Sequence, residues 1–289
     1  MASDDLPMPT PTLPNKPFPA FKSLSFDIYG TLVDWETSII AQCEPLLNAL
    51  PSDSPYKNAL TDAAAHQKLA ARFNHHEGAI QAAHPAMLYD ELLKETYLLL
   101  ATDLGLSAND PAITAQAQRF GASVGDWSAF PDTVDAMKRL ARYYKLVPLS
   151  NVDRASFART AAGPLHGVRF WRTYVAQDIG SYKPDLRNFE YLLRHLDEDE
   201  RAEGGSGIAR DEDLMVAQSL FHDHVPCKKM GVASVWIARG GAGMGMGSGA
   251  RELHERGEVG YGWRFATLGD FADAVEREWE GQGLGPRYG

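Results

Sequence analysis

The apolar residues of this chain recur in two different rhythms. Between residues 57 and 105 they return every three or four positions: Leu69, Phe73 and Ile80, then Leu88, Leu92, Tyr97, Leu100 and Leu104. That step predicts helices with one buried stripe. Residues 35–50 keep the same rhythm through Ile39, Ile40, Leu46 and Leu47, until Pro51-Ser52-Asp53-Ser54-Pro55 interrupts it. Gly105, Ser107 and Asn109-Asp110 mark a stop and a fresh start, with a further helix to about residue 120. Elsewhere the apolar residues fall in short continuous runs, at 23–28, 146–149, 172–176, 214–219 and 234–238. Such runs predict strands buried on both faces. Helical stretches at 133–144, 152–163, 185–196, 225–230 and 268–279 separate them. Strands and helices alternating at this spacing predict an α/β fold with a parallel sheet and right-handed crossovers.

The helical block lies between the first strand and every later one. It therefore reads as a cap, residues 35–129, inserted into a core made of residues 21–34 and 130–280. Residues 1–20 are Pro-rich and read as a disordered arm. Residues 197–213 are charged and Gly-rich, which predicts a surface loop. Residues 240–249 contain Gly-Met-Gly-Met-Gly-Ser-Gly after a strand. A nucleotide-binding turn there would need a buried helix next, but residues 251–258 are too polar, so a flexible loop is expected.

Composition narrows the class. The 289 residues are 44% hydrophobic and 23% charged, as in a soluble globular protein. A formal charge of −10, with no basic stripe, argues against a nucleic-acid partner. Neither a secretory leader nor the ~20-residue apolar run of a membrane span is present, so a cytoplasmic location is expected. Cys43 and Cys227 make neither a disulfide framework nor a metal cluster. Cys227, between Pro226 and Lys228-Lys229, reads as a quiet structural thiol more readily than an activated one.

The strand ends carry the chemistry. The first run ends in Asp27, the second in Ser150-Asn151, and the fourth in a polar stretch, 218–223, that contains Asp223. Lys183 falls in Gly180-Ser181-Tyr182-Lys183-Pro184-Asp185, just before a helix. Open α/β sheets bind ligands at these carboxyl ends. Each residue has an ordinary alternative: Ser150-Asn151 as a helix cap, Lys183 as a solvated loop lysine, Asp223 as a helix N-terminal charge. Together, in this order, they point to a site with a carboxylate nucleophile.

The sequence Asp27-Ile28-Tyr29-Gly30-Thr31-Leu32, then Leu149-Ser150-Asn151, then Tyr182-Lys183-Pro184-Asp185, then a strand ending in an acid, resembles the haloacid dehalogenase superfamily. It looks closest to the type II L-2-haloacid dehalogenases, over about residues 24–279. The resemblance implies a Rossmann-like core with a helical cap. It also implies a hydrolase that displaces halide from a short 2-haloacid through an ester on Asp27. In that scheme Thr31 and Lys183 hold the nucleophile. Ser150 and the backbone amides of Ile28 and Tyr29 bind the substrate carboxylate, and Asn151 helps to receive the halide. A cap arginine, with Arg72 as the candidate beside Glu77, also receives the halide, and Asp223 orients or deprotonates water.

Tyr29 separates this branch from the superfamily's phosphatases. Those have a second Asp two residues after the nucleophile to protonate the leaving alcohol, and a phenol is a poor substitute. Halide leaves as an anion and needs no such proton. Asp223 is flanked by His222 and His224, not by another carboxylate, so no required metal and no cofactor are expected. Phe189, Gln218 and Leu220 depart from the dehalogenase pattern, and with them the hydrolysis of the ester is less well supported than its formation. Two other readings therefore stand beside the first: a phosphatase, and a catalytically weak binding scaffold. The expected partner is a small carboxylic acid. The long cap also offers an apolar surface that a second copy could cover in a homodimer.

Overall fold

The computed structural model describes residues 6–239 and 249–288. The short runs with no polar alternation become strands because both of their faces are covered. They are β1 (Ser23–Phe26), β2 (Lys145–Ser150), β3 (Tyr174–Val175), β4 (Asp213–Ala217), β5 (Ala233–Ile237) and β6 (Trp263–Phe265). All pair in parallel, in the order β3-β2-β1-β4-β5-β6. The order reverses between β1 and β4, where Phe26 sits beside Val216. That switch point opens a crevice beyond the carboxyl ends of the two strands. Strand β6 was not expected: its three residues are only half-buried and too short to show a period.

Between β1 and β2 the chain forms α1 (Trp35–Gln42), α2 (Glu44–Ala49), α3 (Ala63–Ala83), α4 (Tyr89–Asp103) and α5 (Pro111–Ala122). The expected helix at 35–50 is divided at Cys43, ahead of Pro45. The 57–105 block is divided at His84, because Pro85 cannot continue the backbone ladder. Aspartates cap α3 and α5: Asp62 accepts from the Ala65 amide, and Asp110 from the Ala112 amide. The predicted stripes face one another, with Phe120 of α5 packed 5.8 Å from Phe73 and 5.0 Å from Tyr97. Two crossing segments join this block to the sheet. Phe130 N donates to Leu32 O at 3.0 Å, and Asp34 N donates to Ser128 O at 2.8 Å.

Helix α6 (Thr133–Leu140) leads into β2, and after that strand come α7 (Arg154–Ala162), the short α8 (Ala176–Ile179), α9 (Leu186–Ala202), α10 (Val225–Met230), α11 (Gly249–Glu255) and α12 (Leu268–Gly281). Helix α9 runs on to Ala202, so the start of the loop expected at 197–213, residues 197–202, is helical, its charged residues lying on a solvated end. The Gly-rich stretch falls at 240–248, outside the described residues.

The arm corrects a second expectation. From Leu6 onward it is packed, not disordered. Leu6 is buried with Trp236 and Tyr261, and the Phe18 ring packs 5.2 Å from Trp263 and, edge-on, 5.5 Å from Phe271. Thr12 N donates to Gly260 O at 2.7 Å. A Pro-rich segment has little backbone entropy to lose, so two apolar anchors and a few edge hydrogen bonds suffice to order it. Among the described residues no helix is long and apolar enough to cross a membrane.

Candidate active site

The topology brings four strand ends to one crevice. Asp27 directly follows β1, and Ser150 is the last residue of β2. Lys183 follows β3 and α8, and Asp223 lies in a π-helical turn, Leu220–His224, that directly precedes α10. A tight loop after Asp27 turns the chain back, with the amides of Leu32 and Val33 both donating to Ile28 O. Gly30 holds it at φ +101°, and a Cβ there would meet Trp35 Nε1 at 2.9 Å.

Lys183 Nζ is the centre of the arrangement. It donates to Asp27 Oδ1 at 2.9 Å and to Asp223 Oδ1 at 2.7 Å, and its side chain is 2% exposed. Burial disfavours its charge, yet the two carboxylates outweigh that and hold its pKa above the usual lysine value. Asp223 is pushed up to about 7, by burial first, with Lys183 opposing and Asp27 adding to the rise. The other oxygen of Asp27 accepts from Thr31 Oγ1 at 2.7 Å. Thr31 Oγ1 in turn accepts from Gln218 N at 2.9 Å, which leaves its proton for Asp27. Both carboxylate oxygens of Asp27 are thus tied down by donors.

A cavity of about 370 Å³ opens over this triad, walled by the core on one side and α3 and α4 on the other. Three buried polar atoms on its wall lack a protein partner: Ser150 Oγ, Gln218 Nε2 and Asp223 Oδ2. Buried polar groups are almost always satisfied, so three orphans facing one cavity mark a place for water or ligand.

Most of the expected site residues meet here. Asp27, Tyr29, Ser150, Asn151, Lys183 and Asp223 line the cavity, while Thr31 and Ile28 lie just beneath it, fully buried. Tyr29 points its hydroxyl at Thr160 Oγ1, 2.9 Å away, and burial raises its pKa beyond that of a free phenol. Asn151, expected at the halide, also braces the backbone of Lys183. Its side chain donates to Lys183 O at 3.0 Å and accepts from Lys183 N at 2.6 Å, fixing the backbone that carries the ammonium.

Arg72 is a correction. It lies half-exposed on the far side of α3, paired with Asp103 at 3.1 Å, and does not line the cavity. At ~100° per residue, a side chain five positions from Glu77 points about 140° away from it. Glu77 faces the cavity instead, with Asn74, Gly78 and Gln81 on the same stripe. Cys227 is fully buried, and burial pushes its thiol well above the usual range. His224 is structural: it bridges Ser234 Oγ and Ala217 O, at 2.9 and 3.0 Å. His222 lines the cavity with its pKa lowered to about 4, by burial and then by Lys183. Phe189 and Leu220 are packed in apolar clusters away from the cavity wall, so neither removes a polar group from it.

Arg239 was missed altogether. It is buried, stacks over Phe130 at 3.9 Å, donates to Thr31 O at 2.8 Å and pairs with Asp132 at 2.8 Å. It joins both crossing segments to the loop that carries Asp27. A lone arginine ahead of a Gly-rich stretch gave no signal for that role.

A profile of haloacid dehalogenase-like hydrolases matches residues 21–203, well over half of the chain. The chain belongs to this family. No curated protein matches it. Among solved structures, this haloacid dehalogenase-like hydrolase is similar to the L-2-haloacid dehalogenase PA0810, at 22% identity and a TM-score of 0.65, covering 89% of this chain and 99% of that one. The L-2-haloacid dehalogenase from Xanthobacter autotrophicus gives 17% identity, a TM-score of 0.65 and coverage of 89% and 98%. The magnesium-bound HAD-hydrolase YfnB from Bacillus subtilis gives 15%, 0.62, and coverage of 89% and 99%. At these identities the likeness is one of fold: a Rossmann-like core sheet with an inserted helical block.

Magnesium demands near-octahedral oxygen ligation. Here an ammonium already bridges the two carboxylates that would have to supply it, and the neighbouring loop residue, Tyr29, offers a phenol engaged elsewhere. No three His, Cys, Asp or Glu side chains are grouped for a metal among the described residues. The donor set does not fit Mg²⁺.

Proposed function

We propose that this hydrolase is of the 2-haloacid dehalogenase type, cleaving the carbon–halogen bond of a short 2-haloalkanoic acid with Asp27 as nucleophile. The observation that carries the reading is the single ammonium of Lys183 between Asp27 and Asp223, with no carboxylic acid at Tyr29. An oxygen of Asp27 attacks carbon 2, the C–O bond forms as the carbon–halogen bond breaks, and halide leaves with the electron pair. Ser150 Oγ is the free donor for the substrate carboxylate. Forming the ester removes the charge of Asp27, which had been raising the pKa of Asp223. Asp223 therefore becomes more fully ionised just as a base is needed. It takes a proton from water aimed at the Asp27 ester carbonyl, a role supported by its Oδ2 having no protein partner. Collapse releases the 2-hydroxyacid, whose alkoxide oxygen receives that proton, and Asp27 returns to the carboxylate by releasing the water's second proton to solvent.

A phosphatase reading would need an acid to protonate the leaving alcohol, and Tyr29, its phenol pushed up by burial and held by Thr160, is unsuited. The test is halide release from L-2-chloropropionate with EDTA present, in wild type, Asp27→Asn and Asp223→Asn. Wild type should release halide, Asp27→Asn none, and Asp223→Asn should accumulate an ester on Asp27 visible by mass spectrometry. Halide release surviving Asp27→Asn, or Mg²⁺-dependent phosphate release in its place, would overturn the reading.

A further inference from the structure

The two walls of the cavity differ in charge. The core wall holds the one cation among its described lining residues, Lys183, and both of its hydrogen bonds go to carboxylates. The cap wall presents no arginine or lysine and instead offers Glu77, flanked by Asn74 and Gln81 on α3. Tyr89, from the start of α4, donates to Glu77 Oε1 at 2.7 Å. That bond orients the carboxyl group through one of its two oxygens. A halide or a second carboxylate arriving at this wall would meet like charge.

We propose that the Glu77–Tyr89 pair is a specificity element, and that the substrate carries a protonated amino group at the end remote from its carboxylate. The carboxylate end faces Ser150, which rests on the reading above, and the ammonium end faces Glu77. A cavity of about 370 Å³ leaves room for a chain several carbons long between the two. Glu77 has its pKa raised to about 6, by burial, with the Tyr89 hydrogen bond opposing the rise. The carboxylate needed for an ammonium is thus present at neutral pH and lost in mild acid. Tyr182 and Tyr29 stand near Tyr89, and all three phenols are neutral in that range. Across the cavity, Asp27, Lys183, His222 and Asp223 act alike on the shared carboxylate, and Glu77→Gln separates their pull on the ammonium from that of Glu77.

The test uses two unreactive acids, 5-aminopentanoate and pentanoate, titrated calorimetrically against the full chain. Because neither can react, the outcome does not depend on whether haloacids are turned over. Wild type should bind the amino acid about tenfold or more tightly than pentanoate, the scale of a charge-assisted hydrogen bond. The preference should fade as pH falls through about 6. Glu77→Gln should bring the ratio to about one. Tyr89→Phe should keep the preference at neutral pH but move its loss to a higher pH, since the hydroxyl no longer favours the ionised carboxyl. If Glu77→Gln does not fold, the wild-type pH dependence and Tyr89→Phe decide. Equal or weaker binding of the amino acid by wild type, no binding of either at millimolar concentration, or an unchanged ratio in Glu77→Gln would overturn the proposal.

Discussion

Replacing Lys183 by Met leaves two carboxylates facing each other with no cation between them. The ammonium sits 2.9 Å from Asp27 Oδ1 and 2.7 Å from Asp223 Oδ1. At an effective dielectric of ~20 each contact is roughly 6 kcal/mol of gross attraction. Relief from burying the ammonium offsets much of this, and breaking such a buried pair costs about 3–5 kcal/mol net. The protein can avoid that cost by taking up a proton. At ~1.36 kcal/mol per pH unit, the loss moves proton release from the carboxylate pair up by about two to four pH units. Asp223, already raised to about 7, would then keep its proton well into alkaline solution. A carboxyl group whose folded-state pKa lies above its unfolded value binds the extra proton in the folded state, so stability falls as pH rises between the two values. The deficit of Lys183→Met should therefore be small, about 1 kcal/mol, near pH 5.5 and reach about 3 kcal/mol near pH 8.5. Urea unfolding of both proteins at the two pH values measures it. Equal deficits at both would refute the bridging role, because a purely steric loss has no reason to follow proton binding.

Two further predictions concern the sheet. Asp213, fully buried at the start of β4, accepts from Ser23 at 2.6 Å and Ser25 at 2.9 Å, and burial raises its pKa to about 6. Its share of stability is present below about pH 4 and lost as pH rises to about 6, so Asp213→Asn should flatten the pH profile by roughly 2–3 kcal/mol over that window. An unaltered difference between acid and neutral unfolding midpoints would count against this. Arg239→Met removes the donors to Thr31 O and Asp132 and should cost about 2–4 kcal/mol in urea unfolding, with Arg239→Lys restoring less than half. A change within experimental error of wild type would show that the crossing segments hold without it.

The residues at the strand ends were legible because a buried run that stops at an acid, a Ser-Asn or a Lys-Pro is a local pattern. Asp27, Ser150, Lys183 and Asp223 were placed at one edge of the sheet from that pattern alone. Arg72 was misplaced because residue type and proximity in sequence do not fix helical phase: the stripe that faces the cavity is 74, 77, 78 and 81. Ser150 and Asn151 are neighbours in sequence, yet Asn151 braces the Lys183 backbone while the Ser150 hydroxyl has no protein partner. The arm at 6–20 has a disordered composition and an ordered position, since its partners at Trp236, Gly260 and Trp263 are over two hundred residues away.

By itself the sequence determined the rhythm of helices and strands, the insertion of a helical block after β1, and the reactive side chains at the strand ends. These follow from periodicity and local backbone preference, which act over a few residues. Tertiary structure alone decided which polar atoms already have partners. It also decided that Lys183 serves two carboxylates, and that the cap turns Glu77 toward the cavity where an arginine was expected. Burial, charge coupling and hydrogen-bond satisfaction depend on distances between residues far apart in the chain, and only the folded arrangement sets those distances.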